Sequence, residues 1–139
     1  MTVRRPEAVR VLLASDPASV ATARAEAVRC ARVAGMAPEA VDRIRLAVSE
    51  AVTNAVLHAY PGAAGDVELL LDPAPGRLRV QVRDAGCGRH AADPATASAG
   101  FGLGLMRVLS DGLQVDDSPP GTRVVLRFEG REGDVPRGQ

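Results

Sequence analysis

Three groups of residues in this 139-residue chain have types and spacings suited to chemistry. Glu50, Asn54 and His58 recur every fourth position, and in a helix such positions drift by only about 40° per step, forming one polar stripe. A stripe of this kind can be an ordinary solvated face. Here its neighbours Ala47, Val48, Ala51, Val52, Ala55 and Val56 are small and apolar, which suits the wall of a cleft where a carboxylate and a carboxamide meet a ligand. The second group is Asp84-Ala85-Gly86-Cys87-Gly88. Its glycines would let a flat ligand reach the backbone, and Asp84 could accept a hydrogen bond from an exocyclic amine such as that of adenine; a plain turn would use the same residues. The third, Gly100-Phe101-Gly102-Leu103-Gly104-Leu105, runs into a helix. Exposed N–H groups at a glycine-rich helix start bind anions, although glycines also permit close helix packing. Gly121-Thr122, opening the last strand, is a fainter fourth signal.

Composition narrows what these groups can do. All 17 basic residues are arginine. A P-loop and the usual protein-kinase arrangement both reach nucleotide phosphates with a lysine, so both are excluded. The formal net charge is zero, which gives no bulk attraction to nucleic acid or anionic lipid. Cys30 and Cys87 lack metal-ligand spacing and are expected as reduced thiols. With 46% hydrophobic and 24% charged residues, the chain reads as one soluble domain, and with neither a membrane span nor a secretory segment the cytoplasm is the expected location.

The elements that must position the candidate residues follow from periodicity and punctuation. A strand is expected over Arg10 to Ala14, then a helix started by Asp16-Pro17 and running to about Val33, with Gly35 ending it. Pro38 opens a longer helix with apolar positions Val41, Ile44, Ala47, Val48, Ala51, Val52 and Ala55, stopped by Tyr60-Pro61-Gly62. Val67 to Leu71 and Leu78 to Arg83 read as a hairpin around a turn at Pro73 to Gly76. A loop from Asp84 to Gly100 and a short helix over Leu103 to Ser110 follow. A second hairpin pairs Leu113 to Asp116 with Arg123 to Phe128 through Ser118-Pro119-Pro120-Gly121. The order predicts an α+β two-layer sandwich: a mixed, mostly antiparallel sheet with helices on one face. Residues 1–128 form the domain, and 129–139 are expected as a flexible C-terminal tail.

In order and spacing, the patterns ExxxN, DxGxG, GxGxGL and GT closely resemble the N, G1, G2 and G3 boxes of the Bergerat-fold (GHKL) ATPases, over about residues 8 to 128. The helix segment Ser49-Glu50-Ala51-Val52-Thr53-Asn54-Ala55-Val56-Leu57-His58-Ala59-Tyr60 is most similar to the anti-sigma-factor serine/threonine kinases, which carry SEAxxNAxxHxY there. This resemblance implies an ATP- and Mg²⁺-dependent kinase with Glu50 as catalytic base and Asn54 as Mg²⁺ ligand. It implies that Asp84, with Gly86 and Gly88, receives adenine. Gly100, Phe101, Gly102, Leu103, Gly104 and Leu105 would hold phosphates, and Thr122 would complete the nucleotide site. His58 reads as a helix-end hydrogen-bonding or packing residue. Implied partners are a small STAS-type anti-sigma antagonist, which is phosphorylated, and a sigma factor, which is sequestered; a homodimer is implied too, with no direct nucleic-acid or membrane contact.

The family usually places an apolar residue after DxGxG, whereas this chain has Arg89, followed by a short alanine-rich lid to Ala99. Two other functions fit the same boxes. One is an ATP-binding partner-switching module without kinase activity. The other is a detached histidine-kinase catalytic domain, against which stands the want of an upstream phosphoacceptor helix, the histidines being His58 and His90.

Overall fold

The computed structural model describes residues 6–58, 66–85, 100–116, 121–131 and 134. Strand β1 (Val9–Ala14) leads into helix α1 (Ala18–Val33). The Asp16 carboxylate accepts a hydrogen bond from the Ala18 N–H at 2.9 Å, and Pro17 already has helical angles. The expected Asp-Pro start is therefore present, with Asp16 acting as the cap. At the other end Gly35 takes φ +77°, its N–H bonds to Arg32 O, and the Met36 N–H bonds to Ala31 O. That pairing is a Schellman ending, which favours glycine because a Cβ disfavours the left-handed region.

Helix α2 (Pro38–His58) buries Val41, Ile44, Ala47, Val48, Ala51, Val52 and Ala55, the seven positions its helical periodicity selects. Strands β2 (Asp66–Ala74) and β3 (Arg77–Asp84) form a hairpin. The turn is narrower than the expected Pro73 to Gly76: β2 continues through Pro73, and the loop is Pro75-Gly76, with Gly76 at φ +72°. Proline followed by a positive-φ glycine is the type II pattern. Pro73 is tolerated because β1 pairs only as far as Leu71, so its missing N–H falls where β2 has no neighbour. The Gly76 N–H bonds to Ala34 O at 2.8 Å, tying this turn to the end of α1.

Helix α3 (Gly100–Leu109), strand β4 (Gly112–Asp116) and strand β5 (Thr122–Glu129) complete the order. The five strands lie as β1-β2-β3-β5-β4. All four pairings are antiparallel, so the expected mixed sheet is corrected to an antiparallel one. The reason is topological: the α1–α2 pair returns the chain antiparallel beside β1, and β5 inserts between β3 and β4, which run the same way. One face of the sheet, with Leu69, Leu71, Leu78, Val80, Val82, Leu126 and Phe128, packs with the helices into a single core.

β5 ends at Glu129, inside the expected tail, and two further tail residues are tied to the body. Asp134 forms a two-pronged ion pair with Arg43 of α2 at 2.9 and 3.0 Å. Arg131 bonds to Asp111 at 2.9 Å and to the carbonyls of Val108 and Ser110 at the end of α3.

Candidate nucleotide site

Glu50 and Asn54 lie one turn apart on α2, both half-buried. The helix carries them toward a particular end of the sheet. The Ser15 hydroxyl, just after β1, donates to Val56 O at 3.2 Å, which pins the C-terminal part of α2 to the end of β1. At that end Ala14 pairs with Asp66, Val67 with Asp84, and Asp84 with Thr122. Asn54, Asp84 and Thr122 thus belong to one end of the sandwich. Asp84 is half-buried and Thr122 is buried.

Gly121 explains how the strand ends come so close. A Cβ built there would lie 1.9 Å from the Asp84 carbonyl oxygen and 2.7 Å from Ala85 Cα, so only glycine fits. It presses the start of β5 against the end of β3 and fixes the backbone that carries Asp84. The sequence flagged Gly121 only faintly, since a Gly-Thr pair has no periodicity or charge pattern of its own.

The expected phosphate loop is itself helical: α3 begins at Gly100, three residues before Leu103. The first N–H groups of a helix have no intrahelical partner, so the donors expected from a loop are supplied by the first turn. The end of α3 is bound by Arg131 at the Arg127–Glu129 end of β5. Met106 is fully buried and Leu103 packs on the core, while Leu105 is half-buried. Gly104 is exposed, and a Cβ on it would meet nothing within 4 Å. Close helix packing therefore does not account for this glycine. Gly86, Gly88, Arg89 and the lid to Ala99 lie outside the described residues, as do the side chains of His58 and Phe101.

α2 packs against α3 and against β2, β3 and β5. A recess of about 160 Å³ lined by Arg32, Met36, Pro38, Val41, Asp42 and Arg45 sits at the opposite end of α2 and is separate from this constellation. Among the described residues no cluster of His, Cys, Asp and Glu could hold a metal by itself. Cys30 is buried, and burial pushes its thiol pKa up, which keeps it protonated and unreactive. No described helix is long and apolar enough to cross a membrane.

Antiparallel sheet, helical layer and glycine-rich corner together define a class, and comparison with known proteins agrees. The family model for the histidine kinase-like ATPase domain matches residues 13–128, and the chain belongs to that family. It is 30% identical over 100 residues to the anti-sigma F factor of Clostridium acetobutylicum, covering 64% of this chain and 70% of the relative. It is 32% identical over 116 residues to the serine-protein kinase RsbW of Bacillus pumilus, covering 70% and 71%. The solved RsbU and RsbW domains of a Mycobacterium tuberculosis protein align with a TM-score of 0.69 at 23% identity, covering 89% of this chain and 32% of that structure. That alignment supports the fold.

Proposed function

We propose that the domain binds Mg-ATP at the α2–β3–α3 corner and transfers the γ-phosphoryl group to a serine or threonine of a small anti-sigma antagonist, holding a sigma factor when that antagonist is not engaged. The observation that carries this reading is the half-buried pair Glu50 and Asn54, one helical turn apart and at the Asp84–Thr122 end of the sheet. Relatives named anti-sigma F factor and serine-protein kinase support the choice of partner and acceptor.

The residues present fit these ligands. The chain has no lysine for the phosphates, so the partnerless N–H groups of the first turn of α3 are the donors that meet them, and the exposed Gly104 just behind that turn leaves it uncovered by a side chain. Asn54 offers the neutral oxygen that Mg²⁺ accepts beside phosphate oxygens. When bound, the metal neutralises phosphate charge. Asp84 accepts a hydrogen bond from the adenine amine, and the carboxylate of Glu50 takes the proton from the acceptor hydroxyl. The hydroxyl oxygen forms the new bond to the γ-phosphorus as the bond to the leaving diphosphate breaks, and ADP departs.

Radiolabelled ATP with the cognate antagonist is the test. Phosphoserine or phosphothreonine should form in a single turnover, and Glu50→Ala should abolish transfer while retaining ATP affinity. Full transfer by that variant would remove Glu50 as the base.

A further inference from the structure

Among the described residues, none beyond Phe128 belongs to the hydrophobic core. The segment after β5 is nonetheless fastened at several points, all of them polar. Arg131 donates from Nε to Asp111 at 2.9 Å and from Nη2 to the carbonyls of Val108 and Ser110 at 3.1 and 2.9 Å. Its backbone N–H donates to Asp134 at 2.8 Å, and the Asp134 carboxylate receives both terminal nitrogens of Arg43 on α2. Asp111 also accepts the Glu129 N–H at 2.8 Å. A connected set of charge-assisted hydrogen bonds thus runs from the end of α3 to the side of α2.

Burial makes this link firmer than a surface ion pair. The Arg43 and Asp134 side chains are 15% and 10% exposed, against 44% and 69% for Arg45 and Asp42 on the same helix, so salt screens the strap far less. α3 benefits from such an anchor. Gly100, Gly102 and Gly104 fall within its ten residues and weaken its intrinsic helicity. Arg131 gives partners to carbonyls that a helix end leaves without them, and its positive charge suits that end of the helix dipole. The helices joined in this way carry the two parts of the proposed Mg-ATP site: Glu50 and Asn54 on α2, and the first-turn N–H donors on α3. α3 is about 15 Å long, so a small rotation at its held end displaces those donors relative to Asn54.

We propose that the segment bearing Arg131 and Asp134 is a strap that sets the spacing of α2 and α3 and thereby the affinity for Mg-ATP, with Arg131 as the positioning residue. The proposal rests on the nucleotide reading above and adds a means of control to it: release of the strap from Arg43 lowers affinity without altering any residue that touches the nucleotide. Coupling of this kind is reciprocal, so bound nucleotide must in turn hold the strap down. A tail that only stabilises the fold would not respond in that way.

The test combines calorimetric Mg-ATP titration of the full chain with amide hydrogen exchange. Arg131→Gln and Asp134→Asn should each weaken Mg-ATP binding ~5-fold or more. Leu71→Val, which shortens a fully buried side chain on β2, should lower Tm and leave the affinity unchanged. In wild type, saturating Mg-ATP should slow exchange of the Arg131 and Glu129 N–H groups by a factor similar to the affinity lost in the variants. Wild-type affinity in both strap variants, an equal loss in Leu71→Val, or exchange at Arg131 that Mg-ATP leaves unchanged would each overturn the proposal while the nucleotide reading stands. A wild type that binds no Mg-ATP would overturn both.

Discussion

At the scale of single residues, two glycines have opposite reasons to be glycine. Gly121 has no room for a side chain, its Cβ falling 1.9 Å from Asp84 O; Gly121→Ala is expected to cost ~1–3 kcal/mol in urea denaturation, as overpacking does, and to weaken ATP binding by displacing Asp84. Gly104 has open space around it and sits inside a helix, where glycine costs about 1 kcal/mol relative to alanine. Gly104→Ala should therefore raise Tm, and a methyl group at this exposed point just behind the first turn should lower ATP affinity. A rise in Tm with unchanged affinity would remove Gly104 from the site. Glu50, Asn54 and Asp84 stand out as candidates in the sequence because their spacing and flanking glycines are local patterns. The steric demand at Gly121 does not, since it arises between strands joined only by register.

At the scale of elements, α1 and α2 were readable almost residue by residue, because a 3.6-residue apolar period, Asp16-Pro17 and Gly35 each mark the backbone physically. The early start of α3 was hidden because Gly100, Gly102 and Gly104 have low helix propensity; packing of Leu103 and Met106 overrides it. Least visible was the tie between Arg43 and Asp134, 91 residues apart, since ion pairs at that separation leave no sequence pattern. The Arg43 guanidinium and the Arg131 N–H hold the Asp134 carboxyl at about 2, below its usual 3.8. A depressed carboxyl stabilises the fold above its unfolded value and loses that contribution as pH falls through about 4 toward about 2. Asp134→Asn should cost ~1–3 kcal/mol at neutral pH, because Arg43 Nε is already buried and has no hydrogen-bond partner among the described residues. In urea titrations the gap between variant and wild type should close near pH 2; a gap of equal size at both pH values would contradict this role.

At the scale of the whole molecule, the sheet separates two surfaces: a helical side carrying the nucleotide corner and an open side. The layer arrangement was legible from element order, whereas the insertion of β5 between β3 and β4 was not, because consecutive strands also pair and the sequence alone favours the simpler hairpin order. That insertion brings Thr122 beside Asp84, at the corner proposed to receive adenine. Calorimetric titration of the full chain with Mg-ATP and Mg-GTP tests this most directly, comparing wild type with Asp84→Asn. Wild type should bind ATP and discriminate against GTP, which presents an acceptor where adenine presents its amine, and Asp84→Asn should lose most of that discrimination. Equal binding of both nucleotides by wild type, or unchanged selectivity in the variant, would contradict it.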